Sequence, residues 1–185
     1  MQSRERIPPM NNDRKQFFVD LVVFQVAWFG CVIGSANTDY PLLFPIAGFL
    51  FVLSRIASTG RFRSAFPFLV ASIALGMVGD SLLVRLELLA FYADPTVGGA
   101  PIWMILLWAN FGLMLRPLFS WFLQSQTRCL IGFSLGGLLA YASGWQLDRL
   151  AFTTVPFSSL AIAFEWAMAG LVLRQLHLRY RNIDR

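Results

Sequence analysis

The sequence is short of charged residues and of the side chains that catalysis uses most often. Asp, Glu, Lys and Arg make up only 14% of its 185 residues, whereas soluble domains contain about a quarter. The only histidine is His177 and the only lysine is Lys15, so an apolar segment of this chain cannot contain a Ser–His or Ser–Lys pair. Cys31 and Cys129 lack C-x-x-C spacing, which argues against a disulfide framework or a zinc site.

The chain instead has long hydrophobic runs. Its residues are 57% apolar and its mean hydropathy is +0.61. A transmembrane helix needs roughly 20 predominantly apolar residues, and six segments are close to that length: residues 17–34, 41–57, 65–84, 101–123, 129–147 and 155–173. We therefore expect an all-α integral membrane protein with a six-helix transmembrane domain over residues 17–173. Residues 85–94 either continue the third span or form an interfacial segment.

The basic residues are concentrated on one side of the predicted spans. Twelve lie there: Arg4, Arg6, Arg14, Lys15, Arg55, Arg61, Arg63, Arg128, Arg174, Arg179, Arg181 and Arg185. The connections on the other side contain only Arg85 and Arg149. Because cytoplasmic loops are enriched in Lys and Arg, we expect a basic cytoplasmic segment at residues 1–16 and a basic cytoplasmic tail at residues 174–185. This placement explains the net charge of +5 without a nucleic-acid partner.

Small residues four apart predict close helix packing, because they let membrane helices approach each other. The first span contains Gly30 and Gly34. The fifth contains the longest stripe, formed by Gly132, Gly136, Ala140 and Gly144. We expect both sets to pack against other helices, and a ligand groove is the alternative for the stripe.

Residues 132–136 read GFSLG and match the G-x-S-x-G nucleophile elbow. The elbow requires a strand, a sharp turn and then a helix, with a histidine base nearby. This match falls inside a predicted membrane helix instead. The sequence therefore predicts no catalytic residue.

Polar side chains inside the spans are the candidates for a functional site, because a charge at the centre of a membrane helix costs at least about 2.5 kcal/mol. Asp80 and Glu165 lie on small-residue faces and should point toward protein. With Asn110, Trp108 and Trp166 they form the predicted ligand-binding set. In the alternative interpretation, the two acids only hold helices together through hydrogen bonds.

Arg116 lies within the fourth span, at a depth about 7 Å from that of Glu165 by helix rise. Its side chain should lean toward the N-terminus of its helix, which is the side of Glu165. We therefore expect an intramembrane charge pair between Arg116 and Glu165, with Asp20 or the lipid headgroups as other partners. Trp103, near a span end, is expected in an interfacial aromatic belt.

Several landmarks occur in a recognisable order: FQVAWFGCVIG, GDSLL, PIWMILLWANF, SW, GGLLAYASG and FEW. Over about residues 17–173 their order and spacing resemble the bacterial inner-membrane family catalogued as domain of unknown function 2878. The resemblance implies a multi-pass protein of the bacterial cytoplasmic membrane and an association with fatty-acid modification and photo-oxidative stress. By resemblance, Asp80, Trp103, Trp108, Glu165 and Trp166 stand on family-like landmarks.

The expected function is binding of a lipid or other amphiphile, as an accessory to membrane-lipid modification or to a stress response. The expected partners are membrane lipids and a lipid-modifying enzyme, with no cofactor and no metal. One alternative is a small proton- or cation-coupled transporter, or a substrate-binding membrane subunit, that uses Asp80 and Glu165. Another is a structural or assembly factor. The oligomeric state is left open.

Overall fold

The computed structural model describes residues 12–37, 39–92 and 95–181, and this part of the chain forms six helices. They are α1 (Asn12–Gly34), α2 (Leu43–Ser58), α3 (Phe62–Arg85), α4 (Ile102–Leu123), α5 (Gln126–Gln146) and α6 (Phe157–Arg181). Each predicted span overlaps one helix, so the predicted all-α fold is confirmed. Most of the predicted N-terminal segment, residues 1–11, and the end of the predicted tail, residues 182–185, lie outside the described residues.

Four of the helices are long and apolar enough to cross a membrane: Asp13–Gly34, Phe62–Arg85, Ile102–Leu123 and Phe157–Tyr180. The other two differ from them in length or composition. Helix α2 is apolar but has only 16 residues, and α5 has 21 residues with many glycines and polar side chains. Length and composition therefore indicate a membrane protein with at least these four spanning helices.

Helix α4 is the centre of the bundle and packs against the other five helices. More than half of its residues are buried, including Trp108, Asn110 and Leu113. Helices α1 and α2 form a pair on one side of α4, while α5 and α6 form a pair elsewhere around it, and α3 packs against both α4 and α6. Because α1 and α5 belong to different pairs and barely contact each other, the fold leaves space between them.

The connection after α3 pairs with the connection before α6. Strand β1 (Leu89–Phe91) is antiparallel to β4 (Leu150–Phe152), and a small hairpin joins β2 (Thr96–Val97) to β3 (Ala100–Pro101). Helix α3 therefore ends at Arg85, and the following segment does not continue the span. Strands β1 and β4 are short and far apart in the sequence, so their pairing depends on the helices that bring them together.

Gly30 and Gly34 lie where α1 meets α2. An added Cβ at Gly34 would overlap the Phe44 side chain of α2, and one at Gly30 would lie 3.4 Å from the Phe44 carbonyl oxygen. The missing side chains therefore allow the backbones of this pair to approach each other.

Candidate functional site

Asp80 joins three helices in the interior of the protein. Its side chain on α3 is fully buried. The indole Nε1 of Trp108 on α4 donates a hydrogen bond to Oδ2 at 3.1 Å, and the Tyr141 hydroxyl on α5 donates to Oδ1. Gly76, one turn before Asp80 on the same face, makes room for this contact, because an added Cβ there would overlap the Trp108 ring. A single carboxyl group therefore orients two aromatic side chains.

Trp108 and Trp166 extend this cluster to α6. Their rings stack, with centroids 4.4 Å apart and an interplanar angle of 24°. Phe111 packs edge-on against both indoles, at 5.9 Å from Trp108 and 5.3 Å from Trp166. Gly137 of α5 lies directly against Trp166, where an added Cβ would overlap the indole. The aromatic rings thus fix the relative positions of α4, α5 and α6.

Glu165 lies next to this cluster, but not in the pair predicted for it. Its carboxyl group packs against Gly79 of α3, and its two oxygen atoms are buried with no hydrogen-bond partner among the described residues. The Arg116 guanidinium lies over the ring of Phe68, 5.9 Å from its centroid. The predicted pair of Arg116 with Glu165 is therefore wrong. The reason is that Arg116 packs on Phe68, whereas Glu165 packs on Gly79, which lies about three turns further along α3.

Asn110 is buried on another face of α4. Its Nδ2 donates a hydrogen bond to Cys31 Sγ of α1 at 3.6 Å, and Asn110 is not among the residues that line the cavity described next. The structure therefore separates Asn110 from Asp80, Trp108, Trp166 and Glu165, the other members of the predicted ligand-binding set.

A cavity of about 340 Å³ lies beside the aromatic cluster. Residues of α1, α4, α5, α6 and β4 form its wall, whose surface is almost entirely apolar and rich in aromatic rings. Trp108, Tyr141 and Trp166 belong to this wall, whereas Asp80 lies behind two of them and holds them by hydrogen bonds. The volume is within the range of small-molecule sites, roughly 300–1,000 Å³.

The small-residue stripe of α5 lines this cavity. All four of its members, Gly132, Gly136, Ala140 and Gly144, belong to the wall. The predicted packing role is wrong for Gly136, since an added Cβ there would meet nothing within 4 Å among the described residues. Helix α5 packs on α6 with a different face, which includes Phe133 against Gly170 and Gly137 against Trp166.

The cavity opens sideways, between α1 and α5. At one end its wall residues Trp103, Gly144 and Leu150 are buried, whereas Gln25 of α1 and Gly136 of α5 are exposed. Both exposed residues lie near the middle of their helices. The opening therefore lies at mid-helix height on the outer surface of the bundle.

The wall residues that were not predicted as site residues include Tyr141, Gln25 and Trp103. Tyr141 follows the stripe member Ala140 directly and lies one helical turn after Gly137, and this spacing is the signal that points to it. Gln25 is an amide inside an otherwise apolar span, which is a signal of the same kind. Trp103 was expected at the lipid interface, but it is only 2% exposed. Phe91 of strand β1 packs edge-on against its ring.

A serine nucleophile at Ser134 and a metal site have little support in this geometry. Residues 132–136 are helical throughout, and Ser134 Oγ donates to the Ala163 carbonyl oxygen at 3.1 Å. Within the described residues, no three His, Cys, Asp or Glu side chains come together in a way that could hold a metal ion.

The fold and the cavity define a class of protein: a helical membrane protein with an internal, mostly apolar and aromatic cavity that opens between two of its helices. The family model described as "Protein of unknown function (DUF2878)" matches residues 17–171, and the chain belongs to this family. The sequence resemblance is thereby confirmed. No curated protein and no solved structure matches the chain, so a functional interpretation must start from the cavity.

Proposed function

We propose that this protein binds a lipid or other amphiphile in the cavity between α1 and α5, as an accessory to membrane-lipid modification in a bacterial inner membrane. The observation that carries the proposal is a partly open apolar cavity of about 340 Å³ whose opening is at mid-helix height. Apolar walls with a few placed polar groups are typical of small-molecule sites. An opening at this height favours a ligand that arrives from the bilayer.

The proposal includes a six-span topology with both termini in the cytoplasm. Helix α5 is less apolar than a usual span because its glycine stripe faces the cavity, yet its 21 residues extend about 31 Å, the thickness of the hydrocarbon core. Helix α2 has 16 residues, and a shortfall of this size is tolerated by local thinning of the bilayer. The clustering of Arg and Lys on one side supports the orientation.

In this proposal Asp80 is a positioning residue. Its two oxygen atoms are occupied by Trp108 and Tyr141, so its task is to hold two wall residues in place. The chemistry of any lipid modification would then belong to a partner enzyme, and this protein would present or store the amphiphile.

The experiment is mass spectrometry of the lipids that co-purify with the gently extracted protein, compared between two matched variants. Gly136→Phe adds a ring where an added Cβ meets nothing, so it should fill the cavity without disturbing helix packing. Leu139→Phe adds the same side chain to α5 at a position that is 69% exposed. We expect an amphiphile that is enriched with the parent and with Leu139→Phe and depleted about tenfold with Gly136→Phe. Enrichment of nothing beyond bulk phospholipid would contradict the proposal.

A second candidate function, proton- or cation-coupled transport, is favoured by Glu165. Its carboxyl oxygens are buried without a hydrogen-bond partner in the described part of the chain, and unpaired acids inside a membrane mark ion and proton pathways. Liposomes containing the protein should then dissipate an imposed proton or cation gradient, and Glu165→Gln should abolish this flux. An unchanged gradient with the parent protein would exclude this candidate.

A further inference from the structure

The shape of the cavity indicates what kind of ligand fits it. Along α5 its wall runs from Gly132 to Gly144, and along α1 from Leu21 to Val32, which correspond to about 18 and 16 Å of helix. A volume of about 340 Å³ over such a length leaves a cross-section on the order of 20 Å². The cavity is therefore long and narrow, and suits one extended hydrocarbon chain better than a compact ring system.

The polar groups of the wall indicate where the ligand is polar. The N–H of Trp108 and the hydroxyl of Tyr141 both donate to Asp80 and are occupied. The indoles of Trp103 and Trp166 also belong to the wall, and the Nε1 atoms of both are buried without a hydrogen-bond partner among the described residues. Since buried indole N–H groups usually have a partner, and leaving such a donor unpaired costs free energy, the site lacks an acceptor at each of these two indoles.

Trp103 places one of these two missing acceptors at one end of the cavity. It is the second residue of α4, and its neighbours in the wall at that end include Gly144 and Leu150. The other end is lined by Phe122 and Gly132. A ligand with its acceptor at Trp103 and its chain directed toward Phe122 would occupy the full length.

The charge of the wall limits the acceptor further. Among the described residues, the cavity wall contains no Lys, Arg or His, so a carboxylate or phosphate inside it would be buried without a counter-charge from this part of the chain, which is strongly unfavourable. An indole N–H is a donor only, so a hydroxyl would have to use its oxygen and leave its own hydrogen unpaired. A neutral carbonyl oxygen satisfies the donor and adds no unpaired donor.

We propose that the cavity binds an ester-linked acyl chain, with the ester carbonyl oxygen accepting a hydrogen bond from Trp103 Nε1 and the chain extending past Phe111 to Phe122. This inference rests on the proposed function, because it names the substrate class of the same cavity. The neutral acyl ester belongs either to a membrane glycerolipid or to a free ester.

The test uses three brominated C18 probes that quench tryptophan fluorescence on contact: methyl 9,10-dibromostearate, 9,10-dibromostearic acid and 9,10-dibromooctadecane. With the purified full-length protein at neutral pH, we expect the ester to bind about fivefold more tightly than the alkane, the worth of one hydrogen bond. The acid should bind more weakly than the ester. Quenching of the wall residues Trp28, Trp108 and Trp166 reports occupancy.

The decisive variant is Trp103→Phe, which keeps an aromatic ring against Phe91 and removes the N–H donor. It should lower ester binding to the level of the alkane and leave alkane binding unchanged. Trp145→Phe is the matched control, because it also removes one fluorophore but at a position 52% exposed and outside the wall. It should preserve the preference for the ester.

The outcomes separate the inference from the proposed function. Equal binding of ester and alkane by the parent, or an ester preference that survives Trp103→Phe, overturns the inference. If Gly136→Phe still blocks both probes in that case, the proposed function stands. If no probe binds in a way that Gly136→Phe blocks, both fail. Quenching by a phosphatidylcholine with one dibrominated chain in nanodiscs identifies a glycerolipid source, and quenching by the methyl ester alone identifies a free ester.

Discussion

Two buried aspartates hold the protein together at opposite ends, and they do so with different partners. Asp20 of α1 accepts hydrogen bonds from Arg55 at 2.7 Å and from Arg61 at 2.8 and 3.0 Å. Asp80 accepts its bonds from an indole and a phenol. Each carboxyl group joins three segments of the chain: Asp20 joins α1, α2 and the turn before α3, whereas Asp80 joins α3, α4 and α5.

The two aspartates have different partners because an arginine guanidinium can stay partly hydrated near a helix end but not inside the bundle. The side chains of Arg55 and Arg61 remain 20% and 27% exposed, as expected for arginines that extend toward the headgroup region at a helix end. Asp80 lies inside the bundle beside the cavity, where aromatic donors bring no further charge. The comparison teaches that Asp20 fastens the scaffold through charge, whereas Asp80 holds two residues of the cavity wall through hydrogen bonds from neutral donors.

The largest expected effect is that of breaking the Asp20 cluster. Asp20→Ala should lower the free energy of unfolding by about 3 kcal/mol, because removal of one partner leaves two arginines without their counter-charge. Unfolding in mixed micelles by SDS titration measures this change. Arg63→Gln alters an exposed arginine nearby and should change stability little. If Asp20→Ala lowered the free energy of unfolding less than Asp80→Leu does, the predicted ranking of the two clusters would be contradicted.

A smaller effect is expected from Asp80. Asp80→Leu should lower the free energy of unfolding by about 2 kcal/mol, because it leaves the Trp108 N–H and the Tyr141 hydroxyl buried and unpaired. Asp80→Asn retains one acceptor and should lose about half as much. The same titration applies, with Leu82→Ala on the 52% exposed face of α3 as control. A stable Asp80→Leu protein that still binds the ester probe would show that Asp80 does not position the wall.

The smallest effect is that of one bond, and it sharpens the comparison most. Tyr141→Phe should lower the free energy of unfolding by about 1 kcal/mol. In a double-mutant cycle with Asp80→Asn the two losses should be non-additive by about 1 kcal/mol, whereas Tyr141→Phe and Asp20→Ala should be additive because the residues share no partner. Additivity in both cycles would mean that the bond between Tyr141 and Asp80 contributes nothing measurable.

Much of the fold is predictable from this sequence, because apolar length determines where membrane helices form. The site is predictable only in part. The predicted residues Asp80, Trp108 and Trp166 lie together beside the cavity in the structure, whereas Asn110 lies apart from them. The depth of a residue depends on where its helix begins, however, and the prediction for Arg116 and Glu165 failed because these residues pack about three turns apart along α3, against Phe68 and Gly79.

Other features depend on the assembled helices. A stripe of small residues suits both tight packing and a cavity wall, and only the position of α1 decides that Gly136 faces open space. The pairing of β1 with β4 has one weak signal in the sequence, since residues 89–91 and 150–152 both read LAF. Such a repeat of three apolar residues predicts no contact until the bundle brings the two connections together.

The pairing of β1 with β4 has a consequence for how binding must be measured. Leu150 of β4 is buried in the cavity wall and covers that end, while the exposed wall residues Gln25 and Gly136 lie at mid-helix height. In the proposed function, an occupant therefore exchanges with the surrounding lipids and not with the aqueous phase. Its occupancy should follow its mole fraction among those lipids, so added detergent or lipid at constant total ligand should dilute it off the protein, while added buffer should not.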